Sequence, residues 1–414
     1  MTAVAEATAT FESPATTQVS RYLLLTGTAP GEPGVGGVIL KDIIEQSGRD
    51  RWNCCWLAPR QGPQLPFWSA IRTKVINRRF ETGYRPLPGI AGEMISAAAL
   101  KVRRWGMISN AQWTALECCR DWQPEVLVAV LESPAVIETV RQLQQVCRIP
   151  VRSIVWDDVD VLCRQAYFDR WTCRRMERTF GDVLRGSERV AVICETMQRE
   201  YHRRYGVEST IIRHGVVPIA DSEDGQESSS RDEYHIGFAG SNTAPDCLRS
   251  LVEGLDAVGW QIDGRDVILR ILGARYLLDS RKAQRIEYFG WRPVEETRTR
   301  LSECDLLYLP QTFADDNRTF AELSFPTKLS TYLAARRPIL LHAPDYASLT
   351  EFWRQFPLGP AVDSLNASDV MKGVQTILQA NRLQRDEWRA CGASVVEQAI
   401  GPKPFAAAVR EFLC

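Results

Sequence analysis

The residues Ser324-Phe325-Pro326-Thr327-Lys328-Leu329-Ser330-Thr331-Tyr332-Leu333 stand just ahead of a short apolar run, Ile339 to Leu341. Proline is pre-set for the first helical position, so the pattern predicts a helix from Pro326 with Leu329 and Leu333 on one face. Thr327 and Lys328 then fall in its first turn. Unpaired N–H groups and the helix dipole favour an anion there, and Lys328 adds a full positive charge. The chemistry this suits is the holding of a phosphate or diphosphate.

Two glycine loops fit the same task. The first runs Thr26-Gly27-Thr28-Ala29-Pro30-Gly31-Glu32-Pro33-Gly34-Val35-Gly36-Gly37-Val38, after one apolar run and before a helical pattern. Gly34, Gly36 and Gly37 let backbone approach a ligand closely. The loop holds no convincing G-x-G-x-x-G followed by a suitably placed acid, which argues against a dinucleotide site. The second is Ile236-Gly237-Phe238-Ala239-Gly240-Ser241-Asn242, with Pro245 as a candidate first residue of the next helix. Backbone donors of Gly240, Ser241 and Asn242 could receive a phosphate. Two acidic clusters follow apolar runs, Leu131-Glu132-Ser133-Pro134 and Trp156-Asp157-Asp158. Asp158 reads as a helix cap and Asp157 as a cleft residue.

The elements that position these residues alternate. Short apolar runs at Tyr22–Leu25, Cys54–Leu57, Val126–Leu131, Ser153–Trp156 and Val190–Cys194 read as buried parallel strands separated by helical patterns. After residues 219–233, which are almost wholly polar, a second series runs through His235–Ala239, Val267–Leu272, Ile286–Phe289, Leu306–Leu309, Pro338–Leu341 and Ala361–Val362. Two such series predict an α/β protein of two Rossmann-like, doubly wound parallel-sheet domains facing a cleft. The expected organisation is a disordered tail over 1–18, a first domain over 19–218, a linker over 219–233, a second domain over 234–385, and terminal helices over 386–414 packing back on the first domain.

The segment 326–338, of the form P-[ST]-K-L-x-x-Y-x-A-A-x-x-P, resembles the donor-site helix of retaining nucleotide-sugar glycosyltransferases of the GT-B fold, of the family four or group one type. The blocks at 192–216, 236–242 and 286–310 resemble that family in order and spacing. The resemblance implies transfer of a hexosyl group from a nucleotide-diphosphate donor, with retention and without a metal, to a glycan or lipid-linked acceptor in polysaccharide biosynthesis. The nucleotide sugar is a substrate, and no cofactor is implied. Lys328 would stabilise the leaving diphosphate. Gly34, Gly36, Gly37, Gly240, Ser241, Asn242 and Thr327 would lie along the donor, and Trp291 near its base.

The chain departs from the family in two places. Relatives often carry an Arg and a Lys after the 236–239 strand, and this chain has neither, which leaves Arg275 and Lys328 as substitutes. Relatives also carry two glutamates eight residues apart. Counted back from Pro338 these fall on Leu323 and Thr331, with Glu322 one residue off register, so the ribose contact passes to a hydroxyl. The expected catalytic set is Lys328, Asp157 and Glu322. A non-catalytic module of the same fold, binding glycans or partners, is the alternative that the missing groups favour. A nucleotide-sugar epimerase needs paired acids and a histidine near the sugar, which the sequence does not supply.

Composition bounds the remainder. The formal net charge of −1 over 414 residues gives no sign of nucleic-acid binding, and no apolar run spans a bilayer. The first residues lack the charged start and apolar centre of a signal peptide, and the twelve cysteines show no zinc spacing. A reducing cytoplasm is expected. Residues 1–218 carry a net +5 and the remainder −6, with ten basic residues against Glu81 and Glu93 over 51–104. Within that region 66–80 reads as a helix with Trp68, Ile71, Val75 and Ile76 on one stripe among Arg72, Lys74, Arg78 and Arg79. Such a helix either packs on the domain core or lies on an anionic membrane at the inner face.

Overall fold

The computed structural model describes residues 20–32, 34–59, 71–78, 80–82, 87–215 and 233–414. The expected tail, Trp68, Arg79 and all of the expected linker but Glu233 lie outside them. The first sheet contains β1 (Tyr22–Thr26), β2 (Trp52–Ala58), β3 (Arg72–Asn77), β4 (Val126–Val130), β5 (Val151–Ile154), β6 (Arg189–Val192) and β7 (Thr210–Ile211). They lie in the order β3-β2-β1-β4-β5-β6-β7, all parallel. The second contains β8 (Glu233–Gly240), β9 (Gln261–Ile262), β10 (Arg265–Gly273), β11 (Ile286–Gly290), β12 (Leu306–Pro310), β13 (Ile339–His342) and β14 (Ala361–Val362). Its order is β11-β10-β8-β12-β13-β14, with β9 antiparallel on β10. In each sheet the order reverses beside the first strand, β1 or β8. In open α/β sheets ligands bind at such a switch point, beyond the strands' carboxyl ends. The sequence expectation of two doubly wound parallel sheets holds.

The strands are apolar on both faces because helices cover both. β1 is buried along its whole length, as are β4 and β12. The two halves also share packing. Cys194 donates a weak Sγ bond to Leu323 O at 3.5 Å, and Arg199 pairs with Glu351. Arg213 lies just beyond the end of β7. Its guanidinium lies 4.6 Å from the Phe325 ring centre and 5.2 Å from that of Phe352. Its Nε donates to Ile193 O at 3.0 Å, and a terminal nitrogen bonds Glu195. It therefore pins the end of the first sheet to the segment that leads into the Lys328 helix. The last helix, Pro402–Leu413, returns to the first sheet, where Leu413 O accepts from Tyr22 Oη at 3.0 Å and Phe412 O from Arg152 Nη1 at 3.2 Å.

Two expectations need correction. Residues 72–77 are strand β3, not helix, with Ile71 and Ile76 buried and Arg72, Lys74 and Val75 exposed. The β-branched residues Thr73, Val75 and Ile76 suit a pleated edge, and outward charges keep that edge from pairing further. Among the described residues of 66–80, Ile71, Val75 and Ile76 therefore form no helical stripe. The following helix is a single 34-residue element, Gly89–Trp122, longer than the helical pattern that the sequence shows at Ser96–Trp105. Its first turns are apolar on several sides, which hides the usual 3.6-residue signal.

The first glycine loop gives a prediction of reversed sign. Gly37 lies in the helix Val35–Ser47, where alanine is ordinarily favoured by about 1 kcal/mol. A Cβ at Gly37 would sit 2.3 Å from Glu32 O and 2.8 Å from Ala29 O. Backbone cannot yield as a side chain does, so Gly37→Ala is expected to destabilise by about 1–3 kcal/mol, the range for forced overpacking. Urea unfolding measures it; a gain in stability would show that the loop opens freely.

Candidate functional site

The carboxyl end of the first sheet is organised by Glu132. One of its oxygens accepts from Gly27 N at 2.8 Å, Thr28 N at 2.7 Å and Thr26 Oγ1 at 2.7 Å, and the other from Thr28 Oγ1 at 2.6 Å. Burial raises its pKa, while the Thr28 and Thr26 bonds and Arg78 oppose that. Glu132 thus clasps the turn after β1 from the end of β4. The sequence singled it out only as an acid at a strand end. Glu132→Ala takes the acceptor from Gly27 N and Thr28 Oγ1, while Thr28 N and Thr26 Oγ1 keep their bonds within the turn. It is expected to cost about 2–4 kcal/mol. Glu132→Gln, which keeps an acceptor, should lose roughly half as much by chemical denaturation; equal losses would mean that charge and not the clasp matters.

Asp157 stands beyond the end of β5, half-buried. Burial pushes its pKa up to about 6, and the neighbouring carboxylates Glu132 and Asp158 push the same way. Among the described residues nothing hydrogen-bonds to it. Asp158, by contrast, is fully employed. It caps the helix Val159–Gln165 through Asp160 N at 3.0 Å, accepts from Tyr201 Oη at 3.2 Å and pairs with Arg204 at 2.9 Å. Its capping role is as the sequence suggested. Gly36 lies beside this corner, where its Cβ would fall 2.7 Å from the Trp156 ring. The first glycine loop and the Asp157 segment are therefore in contact. Gly34 takes φ +132 at the loop's end and has open space around it.

The carboxyl end of the second sheet has a different character. Gly240 takes φ +102 and Gly273 φ +130, values that favour glycine. A Cβ on Gly273 would lie 2.3 Å from Gly240 O, and one on Gly240 would lie 2.8 Å from Lys328 Cε. Three segments thus meet with no room for side chains. Lys328 opens the helix Lys328–Ala335, whose first turn begins earlier, with Leu329 N bonded to Pro326 O at 3.1 Å and Ser330 N to Thr327 O at 3.2 Å. Its Nζ donates to Ser241 O at 2.7 Å and sits 4.5 Å from the Phe238 ring centre. Burial lowers its pKa to about 8. An ammonium carries three donors, so two remain for a ligand. Asn242 Oδ1, in the same loop, is buried without a partner.

The remaining expected residues divide. Thr327 and Thr331 are half-buried on the Lys328 helix. Tyr276 donates to Gly240 O at 3.4 Å and Tyr288 to Tyr276 O at 2.8 Å, tying the ends of β10 and β11 to the second glycine loop. Arg275 beside them is exposed, and so is Trp291. Glu322 is elsewhere. It ends the helix Arg318–Leu323, pairs with Arg318 at 2.8 Å and lines a cavity of about 730 Å³ with Asp158, Arg199 and Arg204. Nothing brings it to Lys328.

No family model matches this chain, and no curated protein does. Among solved structures, a sucrose-phosphate synthase from Thermosynechococcus elongatus superposes with a TM-score of 0.64 at 14% identity, covering 95% of this chain and 98% of that one. The Anabaena protein HepE, in complex with UDP and glucose, gives 0.62 at 13%, with 95% and 99% covered. The lipopolysaccharide outer core galactosyltransferase WaaB gives 0.62 at 9%, with 95% and 99% covered. These likenesses show the fold, which is GT-B.

Proposed function

We propose that this protein is a glycosyltransferase that takes a sugar from a nucleotide-diphosphate donor. The observation that carries the reading is the meeting of Gly240, Gly273 and Lys328, where a cation with unused donors stands over a loop cleared of side chains. Backbone donors of the loop, the start of the Lys328 helix and the ammonium form a preorganised cradle for a leaving diphosphate. Its charge would develop there without a metal. The acceptor hydroxyl would approach from the leaving-group face, giving retention, with Asp157 of the first domain able to receive its proton. Donor hexose and acceptor, a glycan or lipid-linked sugar, belong to the same reading, as does a cytoplasmic location.

Thermal-shift screening against UDP, GDP and ADP sugars tests it, followed by release of the nucleoside diphosphate from the one that binds. Binding with slow donor hydrolysis supports transfer. The half-buried Thr331, where relatives have a carboxylate, favours the rival reading of a non-catalytic module. No binding to any donor would favour that module, which binds glycans or partners without a working donor site, and donor binding without any hydrolysis or transfer would take catalysis out of the first reading.

A further inference from the structure

The long helix Gly89–Trp122 is built against the ordinary pattern. At about 1.5 Å per residue its 34 residues span roughly 50 Å, against about 17 Å for five-residue β1. Its last residue is held at the amino end of the sheet, with Trp122 Nε1 donating to Tyr22 O at 3.2 Å. Its first buried residue is Leu100. The opening three turns therefore run past the carboxyl edge of the sheet, the edge that carries Glu132 and Asp157. These turns and the two that follow are mostly apolar where they face solvent. Ile90 is 64% exposed, Met94 58%, Ile95 61%, and Val102 and Trp105 75% each. Single exposed apolar residues are ordinary; five on one side of one helix are not.

The neighbouring helix, Arg170–Arg185, extends the same surface. Trp171 is 46% exposed between the guanidinium groups of Arg170 and Arg174, 5.5 and 5.9 Å from its ring centre. Arg174, Arg175 and Arg178 are exposed beside it. A groove of about 370 Å³ joins the two helices and is lined by Lys101, Trp105, Trp171 and Arg175. The acids of the region are neutralised in place, Glu93 by Arg170 at 2.5 Å and Glu81 by Arg78 at 2.5 Å.

We propose that this face docks on an anionic phospholipid bilayer. Aliphatic residues to enter the acyl boundary, two tryptophans able to sit at headgroup level, and basic side chains for anionic headgroups are the three parts such a surface needs. The last is supplied by Lys101, Arg174 and Arg178, since Arg170 pairs with Glu93 and Arg175 with Glu138. Among the described residues no helix is long and apolar enough to cross a membrane, so the contact is peripheral. The face lies along the carboxyl edge of the first sheet, which orients the cleft toward the bilayer. On the glycosyltransferase reading, the acceptor is then a membrane-held lipid.

Sedimentation of the full chain with phosphatidylcholine vesicles, with and without phosphatidylglycerol, tests this. The expected result is cosedimentation with the anionic vesicles only, reduced by high salt. Lys101→Glu/Arg174→Glu/Arg178→Glu should weaken it by more than about tenfold, each basic residue near an anionic surface contributing roughly fivefold. Ile95→Glu/Val102→Glu/Trp105→Glu should abolish it. Thermal melts of both variants check that they fold, and nucleoside-diphosphate affinity should stay unchanged, which separates this proposal from the donor-site reading. No binding to anionic vesicles overturns the proposal, as does binding that both folded variants retain. Concentration-dependent dimers that the apolar variant dissolves, without vesicle binding, would assign the face to a second copy of the chain and equally overturn it.

Discussion

Lys328→Ala loses nucleoside-diphosphate affinity by about 1.5–3 kcal/mol, the range for a hydrogen bond to a charged group, which is tenfold to roughly 150-fold in Kd. In the free protein Lys328 bonds Ser241 O and covers the Phe238 ring. Removing the side chain therefore also loosens the Gly240–Asn242 loop. Lys328→Met keeps most of the stem and deletes only the charge. Both variants should lose affinity if the ammonium meets the diphosphate. A lower melting temperature with unchanged Kd would leave Lys328 as a loop brace. The pH dependence is a second readout. With its pKa held near 8 by burial, the lysine is mostly charged at pH 7 and mostly neutral at pH 9. Diphosphate binding should weaken as pH rises through 8, by up to about tenfold per unit, because the bound state must take up the proton. Calorimetry at the two pH values, in the wild type and in Lys328→Met, reads this directly; a wild type as pH-insensitive as the variant would separate the lysine from the ligand.

How much of this was legible in the chain depends on which forces were local. The alternation of apolar runs and helices is written residue by residue, because a strand covered on both faces has to be apolar throughout. Both sheets follow from it. The turn chemistry of Gly206, the left-handed cap that ends the helix Glu195–Tyr205, and of Pro245 at a first helical position was equally local. Edge strand β3 was not. Its one buried residue is Ile76, with Ile71 just ahead of it, and so little apolar alternation leaves no strand signal to read. The Gly240–Gly273–Lys328 meeting lies further out of reach, since it joins residues 33 and 88 positions apart, so closely that neither glycine has room for a Cβ. The lysine and the first glycine could be named, but Gly273 as the third member could not. Glu132 was visible only as an acid, because its four hydrogen bonds belong to a loop more than 100 residues upstream. Glu322 shows the limit of a register count, which falls on the neighbouring Leu323, whereas the helix turns Glu322 toward Arg318 and the cavity beside Asp158.

Asp157→Asn separates stability from function in opposite directions. An aspartate whose pKa is raised to about 6 destabilises the fold when charged. The sign follows from proton counts. Between about pH 4 and 6 the folded state holds the proton more tightly than the unfolded chain, so stability falls as pH rises through that window. The penalty is absent below the ordinary carboxylate range and complete above pH 6. Asparagine removes it, and the variant should be more stable than the wild type at pH 7 by about 1–3 kcal/mol, with no difference near pH 3. Activity should move the other way. A carboxylate with no hydrogen-bond partner among the described residues, in a fold that could shed the cost with one substitution, suits a group that meets the acceptor hydroxyl. If Asp157 receives that proton, the variant should lose about 10²–10⁴-fold in rate. The wild-type profile should then show an acidic limb near pH 6, since only the charged form accepts the proton. The variant should lose the limb along with the rate. Melting curves and pH–rate profiles of the two proteins, run with the donor found by screening, decide it. A more stable Asp157→Asn that keeps its rate within threefold at pH 7 would leave the buried charge without a part in transfer.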